Sequence, residues 1–168
     1  MLSRIFSIGS RVVYMRLDGL EHFNNPPIPE GYVLTTYHEG LEDGWRRIVK
    51  NSFSNIRPPD ISQITASKSF DPEGFFFLMF QNEVVGSVYA RQAKDGDFRF
   101  GDVVALCVAS QYRGKKLGHF LILRAFEYFK AKGIRTVILD VEKNNRVAIN
   151  MYTSMGFETI SDHPRLRL

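Results

Sequence analysis

One stretch constrains the fold more than any other: "DVVALCVASQYRGKKLGHFLILRAFEYFKAKGIRTVILDV", residues 102–141. An apolar run ends at Val108, a basic stretch containing Gly114 and Gly118 follows, and a helix is expected from Leu117 to Lys132. Its apolar residues wrap most of the circumference, with Lys116, His119, Glu127 and Lys130 leaving a narrow polar stripe. Gly133 supplies a stop, and "TVILDV" (136–141) reads as a fully buried strand. Strand, helix and strand in this order imply a parallel, right-handed crossover.

The loop between the first strand and the helix has its own chemistry. A glycine-containing loop that opens a helix aims unpaired backbone N–H groups at one spot, where the helix dipole adds partial positive charge. Gly114 allows close backbone approach, Gly118 clears the first turn, and Arg113, Lys115 and Lys116 carry charge to neutralise an anion. Taken alone, a basic loop of this kind serves equally well as a solvated turn.

The remaining elements surround this unit. "NNPPIPEG" (24–31), with three prolines, separates an arm at 1–25, in which "RVVYMRL" reads as a strand flanking the domain, from a domain at 28–168. "YVLTTY" (32–37) reads as a strand. "GLEDGWRRIVKNSF" reads as a helix with Leu41, Trp45, Ile48, Val49 and Phe53 on one face, and 61–69 as a short helix. "FFFLMF", "EVVGSVYARQ" and "FRFGDVVALCVA" suggest an antiparallel meander joined by short turns. A last helix from about Asn145 carries Ala148, Met151, Tyr152 and Met155 on one face and stops at Gly156, after which "FETIS" returns as a strand.

Composition excludes several classes. At 168 residues with 44% hydrophobic and 13% aromatic content, the chain has material for one packed core. Net charge is +4, which suits an anionic small molecule, and the basic residues lack the interleaved aromatics of a single-strand nucleic-acid platform. Cys107 is the single cysteine, and no zinc-type spacing occurs, so no disulfide framework and no metal are expected. The opening "MLSRIFSIGS" lacks a signal-length apolar region, and no run approaches a membrane span. A cytoplasmic setting is expected.

Two motifs together, "V-x-x-x-Y-R-G-K-x-L-G" ending at Gly118 and "N-x-x-A-x-x-x-Y-x-x-x-G-F" from Asn145 to Phe157, resemble the GNAT superfamily of acyl-CoA-dependent N-acetyltransferases. "IPEGYVL" and "FDPEGFFF" look like bacterial members related to the mycothiol synthase repeat. The resemblance implies an α/β (α+β) fold, a mixed sheet of about six to seven strands with one splayed pair, and about four helices. It also implies acetyl-CoA as co-substrate. Leu106, Cys107 and Val108 would line the pantetheine arm. Arg113, Gly114, Lys115, Lys116, Leu117, Gly118 and His119 would hold the pyrophosphate, and Asn145 and Ala148 would complete the cofactor site. Two positions depart from the family pattern. Lys116 stands where the middle glycine of the pyrophosphate loop is usual, and is expected to serve from an ordinary helical conformation; Ser110 stands where proline is frequent.

Acyl transfer to an amine needs a polarised thioester carbonyl, a base for the amine and an acid for the leaving thiolate. The family pattern places Tyr152 as the acid; its other reading is a core tyrosine. Two carboxylates are candidates for the base: Asp140, five residues before Asn145, and Asp102, expected on the same strand face as Val104 and Leu106. Each has a second reading as a solvated or structurally paired carboxylate, and a water chain would replace both. Cys107, inside an apolar run, reads as a small core hydrophobe, Trp45 as core, and His119 as a surface residue at the phosphate end. The expected reaction is direct acetyl transfer to a primary amine of a small molecule or peptide, by a monomer or homodimer with no nucleic-acid or membrane partner. The alternative is a CoA-binding regulatory module of the same fold without turnover. Acceptor selectivity is expected from the first helices, the 54–73 loop and the tail "DHPRLRL".

Overall fold

The computed structural model describes residues 11–54, 57–161 and 164. The opening decapeptide and all of the tail except Pro164 lie outside the described residues. The chain forms strands β1 (Val12–Asp18), β2 (Tyr32–Thr36), β3 (Phe75–Phe80), β4 (Glu83–Asp95), β5 (Phe98–Val108), β6 (Thr136–Glu142) and β7 (Glu158–Ile160). Its helices are α1 (Glu42–Lys50), α2 (Ile61–Thr65), α3 (Leu117–Ala131) and α4 (Arg146–Ser154). The strands make one mixed sheet in the order β2-β3-β4-β5-β6-β1-β7, as the resemblance implied.

Local chemistry accounts for the elements. The β3–β4 turn places Gln81 and Asn82 at φ 49° and 64°, the left-handed pair a tight hairpin demands. Asp60 closes a capping box with Gln63 to start α2, which ends at Thr65, short of the expected Ser69. Arg46, paired with Asp60 at 3.0 Å, holds the Asp60 carboxyl well below the usual carboxylate range.

Two apolar layers sandwich the sheet. One joins α3 and the inner side of α4 to Met15, Leu17, Val137, Leu139 and Val141. The other joins α1 and α2 to Phe75, Phe77, Val104 and Cys107, and here Trp45 is buried at 1% exposure, as expected. Because alternate residues face opposite sides of a strand, Ile138, Asp140 and Glu142 of β6 and Val12, Tyr14 and Arg16 of β1 face the α1 side.

Two features differ from the sequence reading. The strand in the N-terminal arm is not a flank: β1 lies inside the sheet, antiparallel to both β6 and β7. β5 also contains a bulge. Ser87 faces Cys107 while Tyr89 faces Val104, so β5 has an extra residue, and Ala105 takes φ 53°. The bulge reverses the alternation beyond it. Val104 and Cys107 share the α1 side, whereas Leu106 and Val108 pack toward α3, so Leu106 does not share a face with Asp102 and Val104.

Candidate active site

β5 and β6 pair in parallel only at Gly101–Val103 against Val137–Leu139. Beyond Val103 the two strands separate, and the gap opens a cavity of about 870 Å³, within the roughly 300–1,000 Å³ usual for ligand sites. Val103, Leu106, Val141 and Tyr152 line it from the α3 side, and Val104, Cys107, Asp140 and Glu142 from the α1 side. The cavity therefore connects the two faces of the sheet at the splay.

The main chain of β5 is available along this gap. Ala109 N–H donates to the Val85 carbonyl at 2.8 Å, so alternation in the antiparallel ladder turns the main-chain groups of Leu106 and Val108 away from β4 and into the cavity. The Val108 carbonyl accepts from Arg113 Nε at 2.9 Å, and Arg113 Nη2 donates to Ser52 Oγ at 3.3 Å. Arg113 thus ties the loop to the end of β5 and to the end of α1.

The loop before α3 meets the expected geometry with one correction. Gly114 has φ 78°, and a Cβ built there meets no atom within 4 Å. Lys116 is not helical: at φ 59°, ψ 18° it is left-handed, the conformation a glycine would hold without cost. The first helical bond runs from Phe120 N–H to the Lys116 carbonyl at 2.9 Å, leaving the N–H groups of Leu117, Gly118 and His119 without helical partners. Lys116, Leu117, Gly118 and His119 line the cavity. Lys115 instead lies over the Tyr112 ring, 5.5 Å from its centroid.

Asn145 caps α4 through Oδ1, which accepts from Ala148 N–H at 3.1 Å, and both residues line the cavity. Tyr152 is buried at 6% exposure, and burial, reinforced by the negative charge of Asp140, pushes its phenol upward. The phenol keeps its proton throughout the neutral range. Asp140 lines the cavity from the opposite side of the sheet. Asp102 does not line it. That residue is fully buried and accepts from Arg91 Nη2 at 2.6 Å and Nε at 3.0 Å. Cys107 lines the cavity, with burial pushing its thiol up to about 11 and Ser87 Oγ 3.4 Å from the sulfur.

The structure adds residues that the sequence reading did not assign to the site. Glu142, two positions beyond Asp140 and on the same face by strand alternation, accepts from Ser54 Oγ at 3.0 Å, linking β6 to the segment after α1. Ser52, Phe53 and Pro58 line the same side, and Met151 and Val147 line the α4 side. Among the described residues no group of three or more His, Cys, Asp or Glu side chains is placed to hold a metal ion, and no helix is long and apolar enough to cross a membrane.

Comparison with known proteins fits this architecture. Mycothiol acetyltransferase of Thermobispora bispora is 29% identical over 142 residues, covering 79% of this chain and 48% of that protein. The chain spans about half the length of the curated relatives it matches. The GCN5-related N-acetyltransferase from Sphaerobacter thermophilus superposes with a TM-score of 0.66 at 21% identity, covering 89% of this chain and 48% of that one. Arabidopsis thaliana Naa50, solved with the bisubstrate analogue CoA-Ac-MVNAL, gives a TM-score of 0.63 at 22% identity over 79% of this chain and 85% of that one. These two likenesses carry the fold. The model of the acetyltransferase (GNAT) family matches residues 42–157, which include the splayed strands, the loop before α3 and α4. The chain belongs to the acetyltransferase (GNAT) family.

Proposed function

We propose that the chain transfers an acetyl group from acetyl-CoA directly to a primary amine of a small molecule or peptide. The observation that carries this reading is the splay of β5 from β6, which opens one cavity to both faces of the sheet with Tyr152 on one side and Asp140 on the other. A leaving thiolate needs an acid beside the sulfur and an incoming amine a base beside the nitrogen, so the two groups must stand at separate points of the cavity.

The residues present fit the cofactor. The open space at Gly114 and the unpartnered N–H groups of Leu117, Gly118 and His119 form a cradle for a pyrophosphate. Lys116 and His119 stand at its rim, and Arg113 fixes its shape from behind. The main-chain groups of Leu106 and the N–H of Val108 face the amides of an extended arm, in the manner of an added strand. Asn145 and Ala148 close the α4 side. When bound, acetyl-CoA supplies an activated thioester.

The chain's own groups then divide the work. A cleft-facing N–H beside the β5 bulge polarises the carbonyl. Tyr152, neutral at physiological pH, holds the proton for the thiolate. Asp140, rather than the ion-paired Asp102, receives the proton of the amine, directly or through one water.

The test is thiol release from acetyl-CoA across a panel of amines. Tyr152→Phe keeps the ring, so acetyl-CoA affinity by calorimetry should persist while the chemical step slows by roughly 10²–10⁴. Undiminished single-turnover rates in this variant would make Tyr152 a packing residue. Tight acetyl-CoA binding by the parent with no transfer to any amine would overturn the enzymatic reading.

A further inference from the structure

β1 lies outside the segment matched by the family model, yet it borders the strand that carries the proposed base. Lys143 N–H donates to the Arg11 carbonyl and Gly19 N–H to the Arg135 carbonyl, both at 2.9 Å. These bonds fix which pairs of the β1–β6 ladder are hydrogen-bonded, because such pairs alternate in an antiparallel ladder. Tyr14, directly opposite Asp140, falls on a non-hydrogen-bonded pair. Such pairs bring the two Cα atoms to about 4.5 Å, with side chains on the same face in closest approach. On the other side of Asp140, β5 has already splayed away and the cavity begins. Asp140 thus has Tyr14 as its direct cross-strand neighbour on one flank and the cavity on the other.

We infer that Tyr14 is a positioning residue for Asp140, its ring forming the wall that keeps water from one side of the carboxylate and aims it into the cavity. The inference rests on the proposed role of Asp140. A base is more effective when its affinity for a proton is raised toward the working pH, and partial removal from water has that effect on a carboxylate. Near Asp140 stand Glu142 on its own strand, Arg16 at the diagonal position on β1, Tyr152 from α4 and Asp102 on β5. Arg16 is engaged with Asp18 at 2.8 Å and Asp102 with Arg91 at 2.6 Å, so their charges are largely compensated locally.

The experiment follows the Asp140 carboxyl itself by carbon NMR of the full chain labelled at aspartate Cγ, its resonance assigned by loss in Asp140→Asn. Tyr14→Phe keeps the ring and should not lower the Asp140 midpoint. Tyr14→Thr and Tyr14→Val keep high strand propensity and remove the ring. In whichever of these two folds, and in both if both do, the Asp140 midpoint should fall by about half a pH unit or more. Parent-like titration in a folded ring-less variant, or a fall equally large in Tyr14→Phe, would overturn the inference. The pH–rate profile of Asp140→Asn for acetylation of benzylamine separates the two readings. If that variant keeps the parent profile while the ring-less variants shift the titration, Tyr14 still positions Asp140, and the base assignment fails.

Discussion

Lys116 occupies a backbone conformation that costs a β-carbon-bearing residue roughly 1 kcal/mol relative to glycine. Its side chain makes no capping bond to α3 that would offset the cost. Lys116→Gly should therefore raise unfolding free energy by about 0.5–1 kcal/mol in urea titrations, offset in part by the greater entropy of glycine in the unfolded chain. Acetyl-CoA affinity by calorimetry should change little, because the proposed cradle is made of N–H groups that the substitution leaves in place. A less stable glycine variant would show that the left-handed turn is not strained. The φ angle was illegible from the lysine alone. The glycine usual at this position was the available signal, and it pointed to the conformation rather than merely to clearance. The nearness of Tyr152, Asn145 and Gly114 to one cavity was legible, since each has a spacing tied to a helix start or to one helix face. Tyr14 was not, because its relation to Asp140 exists only through a strand pairing between distant segments.

At the scale of elements, the strand–helix–strand unit was readable because nearly continuous apolar runs on both sides of a polar loop admit few alternatives. The meander was readable from its short turns. The β5 bulge was not: a run such as "VVALCV" is apolar on both faces, so nothing in its pattern reports an extra residue. Missing it put Asp102 and Leu106 on one face and made Asp102 appear a candidate for the site. The structure instead puts Asp102 directly across from Arg91 in the β4–β5 ladder, with the Asp102 side chain fully buried. Asp102→Asn leaves the Arg91 guanidinium buried beside a neutral amide, which should cost about 3 kcal/mol of stability. Thermal and urea denaturation would measure this loss, and the pH–rate profile should keep the parent's shape. A stable variant with pH-rescued activity would return Asp102 to the list of bases.

At the scale of the whole molecule, partnered carboxylates stand at the end of β1, at the start of α1 and at the cap of α2. Arg16 holds Asp18 low, Arg46 holds Asp60 low, and Tyr37 holds Glu42 low. A carboxyl whose folded-state pKa is depressed stabilises the fold above its unfolded pKa and loses that contribution as pH falls through the folded value. Thermal stability should accordingly be flat from neutral pH to about pH 5 and decline progressively below about pH 4. Differential scanning calorimetry checks this, and the effect should be modest because Asp18, Asp60 and Arg46 are substantially exposed. A midpoint that rises on acidification would contradict the assignment of these pairs.

The gap between β5 and β6 is the proposed acetyl-CoA site. A crystal structure of the full chain with CoA tests it most directly. The pyrophosphate is expected on the N–H groups of Leu117, Gly118 and His119, the pantetheine arm along Leu106 and Val108, and the thiol beside the Tyr152 hydroxyl. CoA bound elsewhere, or a gap filled by side chains while CoA is bound, would contradict it.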